Sequence, residues 1–344
     1  MKITRVGLDI AKLVFQVHAV NEHGVEKGRK TLVRAKVLEY FAQLPPCLIG
    51  MEACGGAHYW AREFAKLGHT VKLVAAQFVT PYRKRGKNDA NDAEAICEAV
   101  GRPNMHFVAV KSEEQQAVLM VHRARSLIVA NRTALANQIR GLLTEFGLVV
   151  PKGIAKLRRQ LPQILEDAEN GLPALAREVL TDLLEQFREL DHRVQQYDVR
   201  IRELAQQSEP ARRLMQIESI GAMTATAIVA GMGDPHVFKS ARNYAASLGL
   251  TPRQDSSGGT IRLGSITKQG DRYLRTLLVH GARSHLRVVD KKTDEKSAWA
   301  RRLKERRHVN VAAVALAAKH ARIAWAILAK GTEYQPARLQ EAAA

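Results

Sequence analysis

The chain has few cysteines, few aromatic residues and too few acidic residues to balance its basic ones. Its 344 residues include three cysteines, and their spacing fits no zinc-binding module, which is typical of a protein from a reducing compartment. Aromatic residues make up 5% of the chain, which disfavours recognition of nucleic acid mainly by base stacking. Lys and Arg number 53 against 34 Asp and Glu, so a polyanionic partner is indicated, nucleic acid before membrane.

No uninterrupted apolar run predicts a membrane span. Charged residues interrupt the first twelve positions, so the N-terminus does not read as a signal peptide. The alanine-rich segment 309–331 is apolar, but Lys319, His320 and Arg322 stand near its middle. Charges at that depth favour a buried helix over a membrane helix.

Hydropathy divides the chain into three predicted domains. Residues 1–112 alternate three strands, helix, strand, helix and strand, the order of a ribonuclease H-like α/β sheet. Residues 113–208 are predicted to be helical, and apolar residues at three- and four-residue steps indicate either a coiled coil or an intramolecular helical hairpin. Residues 209–344 are mostly helical and include a stretch that resembles a helix-hairpin-helix, with Ser219 where a first glycine is expected.

The segment KNDANDAEAI, residues 87–96, places two aspartates three positions apart at the start of a predicted helix. Asn88 or Asp89 could cap this helix, and Asp92 could stabilise its positive end. Alternatively, both carboxylates lie on one helix face and bind one cation. Nearby basic residues would then hold a phosphate backbone; they are Arg83, Lys84, Arg85 and Lys87.

Two further carboxylates fall near strand ends. Asp9 ends the first predicted strand, and Glu52 lies near the end of the fourth. In a ribonuclease H-like sheet the first strand is central and the fourth lies beside it, so these residues should meet at the edge that receives Asp89 and Asp92. Four unpaired carboxylates repel one another, and divalent cations relieve that repulsion. The four residues therefore predict a site for one or two Mg²⁺ ions that clamp a phosphodiester.

Four motifs in this order, GLDIAK, MEACGGAHYWAR, KNDANDAEAI and GLTPRQDSSGG, resemble the DEDD-type insertion-sequence transposases. The resemblance covers nearly the whole chain and implies a RuvC-like N-terminal catalytic domain followed by a C-terminal transposase domain. It implies that the serine of a T-P-R-x-x-x-S-G pattern is the nucleophile, which is Ser257 here, with Ser256 as its neighbour. Composition alone favours a polar turn for the loop around Ser257, although its two glycines would let a phosphate approach closely.

The resemblance also implies the partners of the reaction. They are donor and target DNA, a structured noncoding guide RNA that pairs with both, and further copies of the chain in a homodimer or homotetramer whose active site joins two subunits. A bacterial cytoplasmic protein associated with the nucleoid is expected. Basic residues around the serine loop are predicted phosphate contacts, with a solvated basic face as the alternative; they are Arg253, Arg262, Lys268, Arg272 and Arg275.

Other classes of protein fit parts of the sequence. A hydrolytic nuclease resembling a Holliday-junction resolvase would use the four carboxylates and water, and would give Ser257 no role. An actin-like ATPase would share the VGLDIAK loop but needs a second phosphate loop that is not found. A tyrosine recombinase would use His280, Arg283 and Tyr334. A non-enzymatic DNA-binding protein would tolerate loss of the carboxylates.

Overall fold

The computed structural model describes residues 2–84 and 88–335. The chain forms two compact units, the first made of Met1–Glu113 with Met232–Lys239 and the second of Glu114–Gly231 with Ser240–Ala344. The first unit contains a mixed sheet with helices, and the second is mostly helical. These features confirm the predicted α/β N-terminal part and helical C-terminal part, whereas the separation of 113–208 from 209–344 stays a prediction.

One six-stranded sheet organises the described part of the first unit, with strand order β3-β2-β1-β4-β5-β6. Its elements are β1 Arg5–Ile10, β2 Val14–Val20, β3 Glu26–Val33, α1 Val37–Ala42, β4 Leu48–Glu52, α2 Ala57–Lys66, β5 Thr70–Val74, α3 Ala76–Val79, α4 Asp89–Val100 and β6 Phe107–Val108. Strand β1 pairs antiparallel with β2 and parallel with β4, so the first strand is central and the fourth lies beside it, as predicted. The sequence pattern did not predict β6, because two residues are too few to show alternation.

The two faces of the sheet carry different residues because side chains alternate along each strand. Val6 and Leu8 of β1 are completely buried in one core cluster with Phe41 of α1 and Phe64 of α2. The intervening Gly7 lies on the opposite face, against α4. The central strand is thus covered by helices on both faces.

Helix α4 lies directly on the sheet where two strand residues have no side chain. A Cβ added to Gly7 would lie 2.1 Å from the carbonyl oxygen of Ala93, and one added to Gly50 would lie 2.8 Å from Cβ of Val100. Neither contact is possible without a shift of the helix or strand. Glycine at these two positions therefore permits the close approach of α4 to β1 and β4, and this approach brings the start of α4 near the end of β1.

A methyl group at position 7 should separate α4 from β1. We expect Gly7→Ala to lower the free energy of unfolding by about 2 kcal/mol, since the added Cβ meets backbone that cannot move aside cheaply. Chemical denaturation monitored by circular dichroism measures this change. Gly28→Ala on β3 is the matched control, because a Cβ there meets no atom within 4 Å in the described residues, and equal losses in both variants would contradict the steric explanation.

The remaining described elements are mostly helices. They are α5 Glu113–Thr144, α6 Ile154–Glu166, α7 Ala174–Gln207, α8 Glu209–Met215, α9 Ala222–Met232, α10 Ala241–Ser247, β7 Pro252–Gln254, β8 Leu263–Ile266, α11 Arg272–Val288, α12 Glu295–Arg306 and α13 Val309–Lys330. Strands β7 and β8 pair antiparallel in a sheet of their own.

Helices α5 and α7 run antiparallel in a helical hairpin. Arg132 donates to Asp191 at 2.6 Å, and Arg125 donates to Asp198 at 2.6 Å. The earlier residue on α5 pairs with the later residue on α7, which fixes the antiparallel direction, and apolar residues of both helices share one core cluster. The apolar spacing of α7 thus serves packing within the chain, and contacts between copies stay a prediction.

The loop between α8 and α9 has the backbone conformation that its sequence suggested. Ser219 adopts a positive φ of 74°, a backbone conformation that favours glycine. Ser219 is also the position at which a helix-hairpin-helix would have its first glycine. A Cβ on Gly281 of α11 would lie 2.4 Å from the carbonyl oxygen of Ser219, so α11 packs directly beneath the loop. The loop is compatible with a helix-hairpin-helix, and its contact with phosphate stays a prediction.

Within the described residues, α13 is the one helix long and apolar enough to cross a membrane. It packs against α10 and α11 of the same unit. Leu316, His320 and Ala324 along its length are completely buried there. These contacts favour the predicted buried helix.

Candidate active site

The two strand carboxylates are neighbours at the carboxyl ends of β1 and β4. The parallel register pairs Leu8 with Met51, and the next residues along each strand are Asp9 and Glu52. Asp89 is the first residue of α4 and Asp92 the fourth, at the helix end that faces this edge. The arrangement follows from the strand order and from the close packing of α4.

The charges of the three other carboxylates act on Asp9. Burial, followed by the charges of Asp89, Asp92 and Glu52, raises the pKa of Asp9 to about 6. Each of the other three side chains therefore acts on Asp9 through its charge. The four residues that the sequence proposed as one group thus lie within electrostatic range of Asp9, and their use as one metal site stays a prediction.

The helix-capping interpretation of the segment KNDANDAEAI is confirmed for Asn88. Its side-chain oxygen accepts a hydrogen bond from the backbone N–H of Asn91 at 2.7 Å, which is the N-cap of α4. Asp92 lies in the first turn of α4 and is 8% exposed, so its carboxylate can also stabilise the positive end of the helix.

Arg83 lies between two of the carboxylates. Its Nε is 2.9 Å from Oδ1 of Asp92, and its Nη2 donates to Oε2 of Glu52 at 3.5 Å. The next residue, Lys84, forms an ion pair with Glu94 of α4. Two of the predicted phosphate contacts are thus paired with acidic residues of their own unit, and the other two, Arg85 and Lys87, lie outside the described residues.

The donor atoms suit a hard divalent cation, which prefers carboxylate oxygens. Oδ1 of Asp92 is buried and makes no hydrogen bond of good geometry with any described residue, although Nε of Arg83 lies 2.9 Å from it. In the arrangement seen across 2–84 and 88–335, however, no three His, Cys, Asp or Glu side chains are close enough to hold a metal ion. The chemistry therefore fits a cation, while the present spacing accommodates the guanidinium of Arg83.

A cysteine near the cluster was not predicted as part of the site. Burial, together with the charges of Glu52 and Asp9, raises the pKa of the Cys54 thiol. Its position two residues after Glu52, just beyond β4, was the signal available in the sequence. The thiol stays protonated at neutral pH, which makes it a poor nucleophile.

Ser257 lies at a tight turn beyond the ends of β7 and β8. The N–H of Thr260 donates to the carbonyl oxygen of Ser257 at 3.0 Å, and Gly258 and Gly259 have φ values of 55° and 77°. Two successive positive φ values define a type I′ turn, which glycine adopts without strain. The composition of this loop thus encodes a hairpin tip, with Ser257 exposed at its corner.

The two neighbouring serines have different surroundings. Oγ of Ser256 accepts a hydrogen bond from the backbone N–H of Arg262 at 3.1 Å, across the hairpin. The hydroxyl of Ser257 makes no hydrogen bond with the residues that the structure describes. Ser256 therefore stabilises the hairpin, whereas the hydroxyl of Ser257 is available to a ligand.

Four of the basic residues predicted around this loop are exposed; they are Arg253, Arg262, Lys268 and Arg272. Arg275 has a different environment. It donates to the carbonyl oxygens of Leu248 at 2.9 Å and Gln269 at 2.8 Å. These bonds fix the base of the hairpin, a role that charge patterning could not distinguish from a phosphate contact.

A mixed α/β unit that gathers four carboxylates from two adjacent parallel strands and one helix is consistent with a DEDD nuclease-like domain. Residues 6–147 match the model of the DEDD transposase domain of IS110 elements, described as transposase. Residues 211–298 match the model described as transposase IS116/IS110/IS902 family.

Whole proteins are similar to this chain over nearly their full length. "Probable family 20 transposase" of Pseudomonas aeruginosa is 50% identical over 98% of this chain and 100% of its own length. "Transposase for insertion sequence element IS1111A" of Coxiella burnetii is 42% identical over 96% of this chain and 91% of its own length. "Transposase for insertion sequence element IS1328" of Yersinia enterocolitica is 40% identical over 96% of this chain and 98% of its own length. The chain belongs to the IS116/IS110/IS902 family of transposases, enzymes that cleave and rejoin DNA.

Proposed function

We propose that this transposase cleaves and rejoins DNA with Mg²⁺ held by Asp9, Glu52, Asp89 and Asp92, and with Ser257 as the nucleophile. One observation carries the proposal, namely that β1 and β4 pair in parallel, so that Asp9 and Glu52 follow paired residues at the same edge of the sheet, where α4 begins at Asp89. The raised pKa of Asp9 agrees with this arrangement. The strand order around β1 supports a ribonuclease H-like (RuvC-like) fold for this unit. DNA in the bacterial cytoplasm is the substrate.

The carboxylates provide the negative charge that retains the metal. In the metal-free protein, ionisation of Asp9 is opposed by its neighbours, and a divalent cation offsets that repulsion. When bound, Mg²⁺ supplies positive charge to a phosphodiester oxygen and to the oxygen that leaves. Burial of Asp92 limits competition from water for its oxygens.

Ser257 supplies the attacking oxygen. Its Oγ bonds to phosphorus and loses its proton, while the bond from phosphorus to one DNA oxygen breaks and that oxygen takes up a proton. The product is a phosphoserine link, and attack by the hydroxyl of another DNA end reverses the step and restores the serine. The energy of the phosphodiester is conserved, which permits rejoining without a further energy source.

A covalent intermediate separates this mechanism from hydrolysis. We expect Ser257→Ala to lose the protein–DNA adduct and the rejoined product by at least about a thousandfold, since no other group replaces the attacking oxygen. Labelled donor DNA resolved on a denaturing gel measures both species. Asp9→Asn should lose both as well, through loss of the metal.

Ser256→Ala is the matched control, because Oγ of Ser256 is engaged with the backbone of Arg262. This variant should keep the adduct. An adduct that persists in Ser257→Ala would remove Ser257 from the mechanism. Free cleaved ends at the normal rate in Ser257→Ala would favour a hydrolytic nuclease that uses only the carboxylates.

We also propose that a noncoding RNA encoded beside the gene guides the enzyme to donor and target DNA, in a homodimer or homotetramer. The chain has 53 basic and 34 acidic residues, and this excess of positive charge supports a polyanionic partner, either RNA or DNA. Exposed basic residues around the serine hairpin support contacts with a nucleic-acid backbone rather than with bases. The low aromatic content agrees with recognition of shape and charge.

Sequencing of the RNA that co-purifies with the protein tests guidance. Expression of the gene with its native flanks should yield one discrete RNA from the flanking DNA, because a specific complex survives purification. Expression of the coding region alone should yield none of that RNA. Random cellular fragments in both preparations would contradict guidance and would favour a transposase that reads DNA directly.

A further inference from the structure

Arg83 occupies the space between two carboxylates that the proposed function assigns to the metal. Its guanidinium approaches Asp92 at 2.9 Å and Glu52 at 3.5 Å. Asp92 is 8% exposed, so little solvent remains to stabilise its charge. Among the described residues, the guanidinium of Arg83 supplies the positive charge paired with Glu52 and Asp92.

The contacts of Arg83 are held by charge more than by directional bonds. Nε of Arg83 and Oδ1 of Asp92 are close, yet both are buried atoms without a hydrogen bond to any described residue. The bond to Glu52, at 3.5 Å, is at the outer limit of hydrogen-bond length. A well-formed arginine–carboxylate pair makes two parallel bonds of roughly 2.7–2.9 Å. Arg83 is therefore a counter-ion that a cation of higher charge can replace.

We propose that Arg83 is the internal counter-ion of the metal-free site and that a divalent cation displaces it from Glu52 and Asp92. The inference rests on the proposed metal site. A cation on these oxygens takes the lone pairs that face Arg83, and like charges at such short range repel strongly. Metal binding and the resting position of Arg83 thus exclude each other.

The surrounding backbone allows the exchange by rotation of one side chain. Arg83 follows the short 3₁₀ helix Thr80–Tyr82, and its N–H donates to the carbonyl oxygen of Thr80 at 3.2 Å. On its other side, Lys84 pairs with Glu94, which also accepts from Arg29 at 2.9 Å. The backbone of Arg83 and the side chain of Lys84 thus each have a partner that does not involve the guanidinium of Arg83.

Displacement gives Arg83 a second partner. Once released, the guanidinium stands at the margin of the cluster, where the phosphodiester binds in the proposed reaction. Arginine forms forked bonds with phosphate oxygens. The same residue thus pairs with carboxylates without metal and with a DNA phosphate when metal is bound, which couples loading of the metal to binding of the substrate.

Mn²⁺ binding to the full-length protein tests this competition. Isothermal titration calorimetry of the wild type and of Arg83→Gln compares the two dissociation constants. We expect Mn²⁺ to bind Arg83→Gln about tenfold more tightly, because the variant lacks the competing charge. Without metal, Arg83→Gln should have a lower melting temperature than the wild type. Added Mn²⁺ should raise the melting temperature of Arg83→Gln more than that of the wild type.

Lys84→Gln is the matched control. It removes the same charge from the adjacent residue, whose partner is Glu94 rather than a residue of the cluster. Its Mn²⁺ affinity should stay within about twofold of the wild type, because an exposed charge farther away is screened. If Lys84→Gln and Arg83→Gln gain the same affinity for Mn²⁺, the gain comes from the change in net charge alone, and the inference is overturned.

An Arg83→Gln affinity equal to or weaker than that of the wild type also overturns it. Where Arg83→Gln fails to fold, Arg83→Met replaces it, since it also removes the charge while keeping an unbranched side chain, and the same comparison applies. Asp9→Asn and Asp92→Asn separate the two proposals. If neither weakens Mn²⁺ binding, the metal site itself is wrong; if both weaken it while Arg83→Gln binds no tighter than the wild type, only the role of Arg83 fails.

Discussion

The close approach of α4 to β1 and β4 is the constraint on which the site depends. Gly7 and Gly50 have no side chains, and any Cβ at either position would overlap α4. The approach places Asp92 in a buried position beside Asp9. The packing of the sheet and the geometry of the proposed site therefore have the same cause, and a change that separates helix from strand alters both.

Gathering four carboxylates has an electrostatic consequence for the resting protein. Burial and three neighbouring charges raise the pKa of Asp9 to about 6, so its negative charge is disfavoured. The structure offsets part of this repulsion with Arg83, which bridges Glu52 and Asp92. The carboxylates, which Arg83 neutralises only in part, still attract cations. A bound cation would in turn allow an anionic substrate to approach the carboxylates.

Much of the catalytic unit could be predicted from alternation and topology. Apolar periodicity located the first five strands, and the strand order then implied that Asp9 and Glu52 meet. The spacing of Asp89 and Asp92 at a helix start supplied the remaining pair. The strand order is confirmed because burial and chain connectivity, rather than fine geometry, decide where strand ends lie. The use of the four carboxylates as one site stays a prediction.

Sequence patterns could not predict which individual side chains pair with each other. The run of cations after Tyr82 indicated a phosphate-binding surface, and sequence alone could not show that Arg83 pairs with Asp92. The apolar seam of α7 fitted two kinds of helix pairing, and only the salt bridges to α5 establish the intramolecular hairpin. Composition favoured a polar turn at Gly258–Gly259, and the backbone angles define that turn, whereas contact of the loop with phosphate stays a prediction.

Anomalous X-ray scattering from crystals grown with Mn²⁺ tests the central claim most directly. The account predicts a manganese peak at about 2.1–2.6 Å from carboxylate oxygens of Asp9 and of at least one residue among Glu52, Asp89 and Asp92. The side chain of Arg83 should then point away from Glu52 and Asp92. A map with ordered carboxylates, no manganese peak among them at saturating Mn²⁺, and Arg83 still between Glu52 and Asp92 would contradict it.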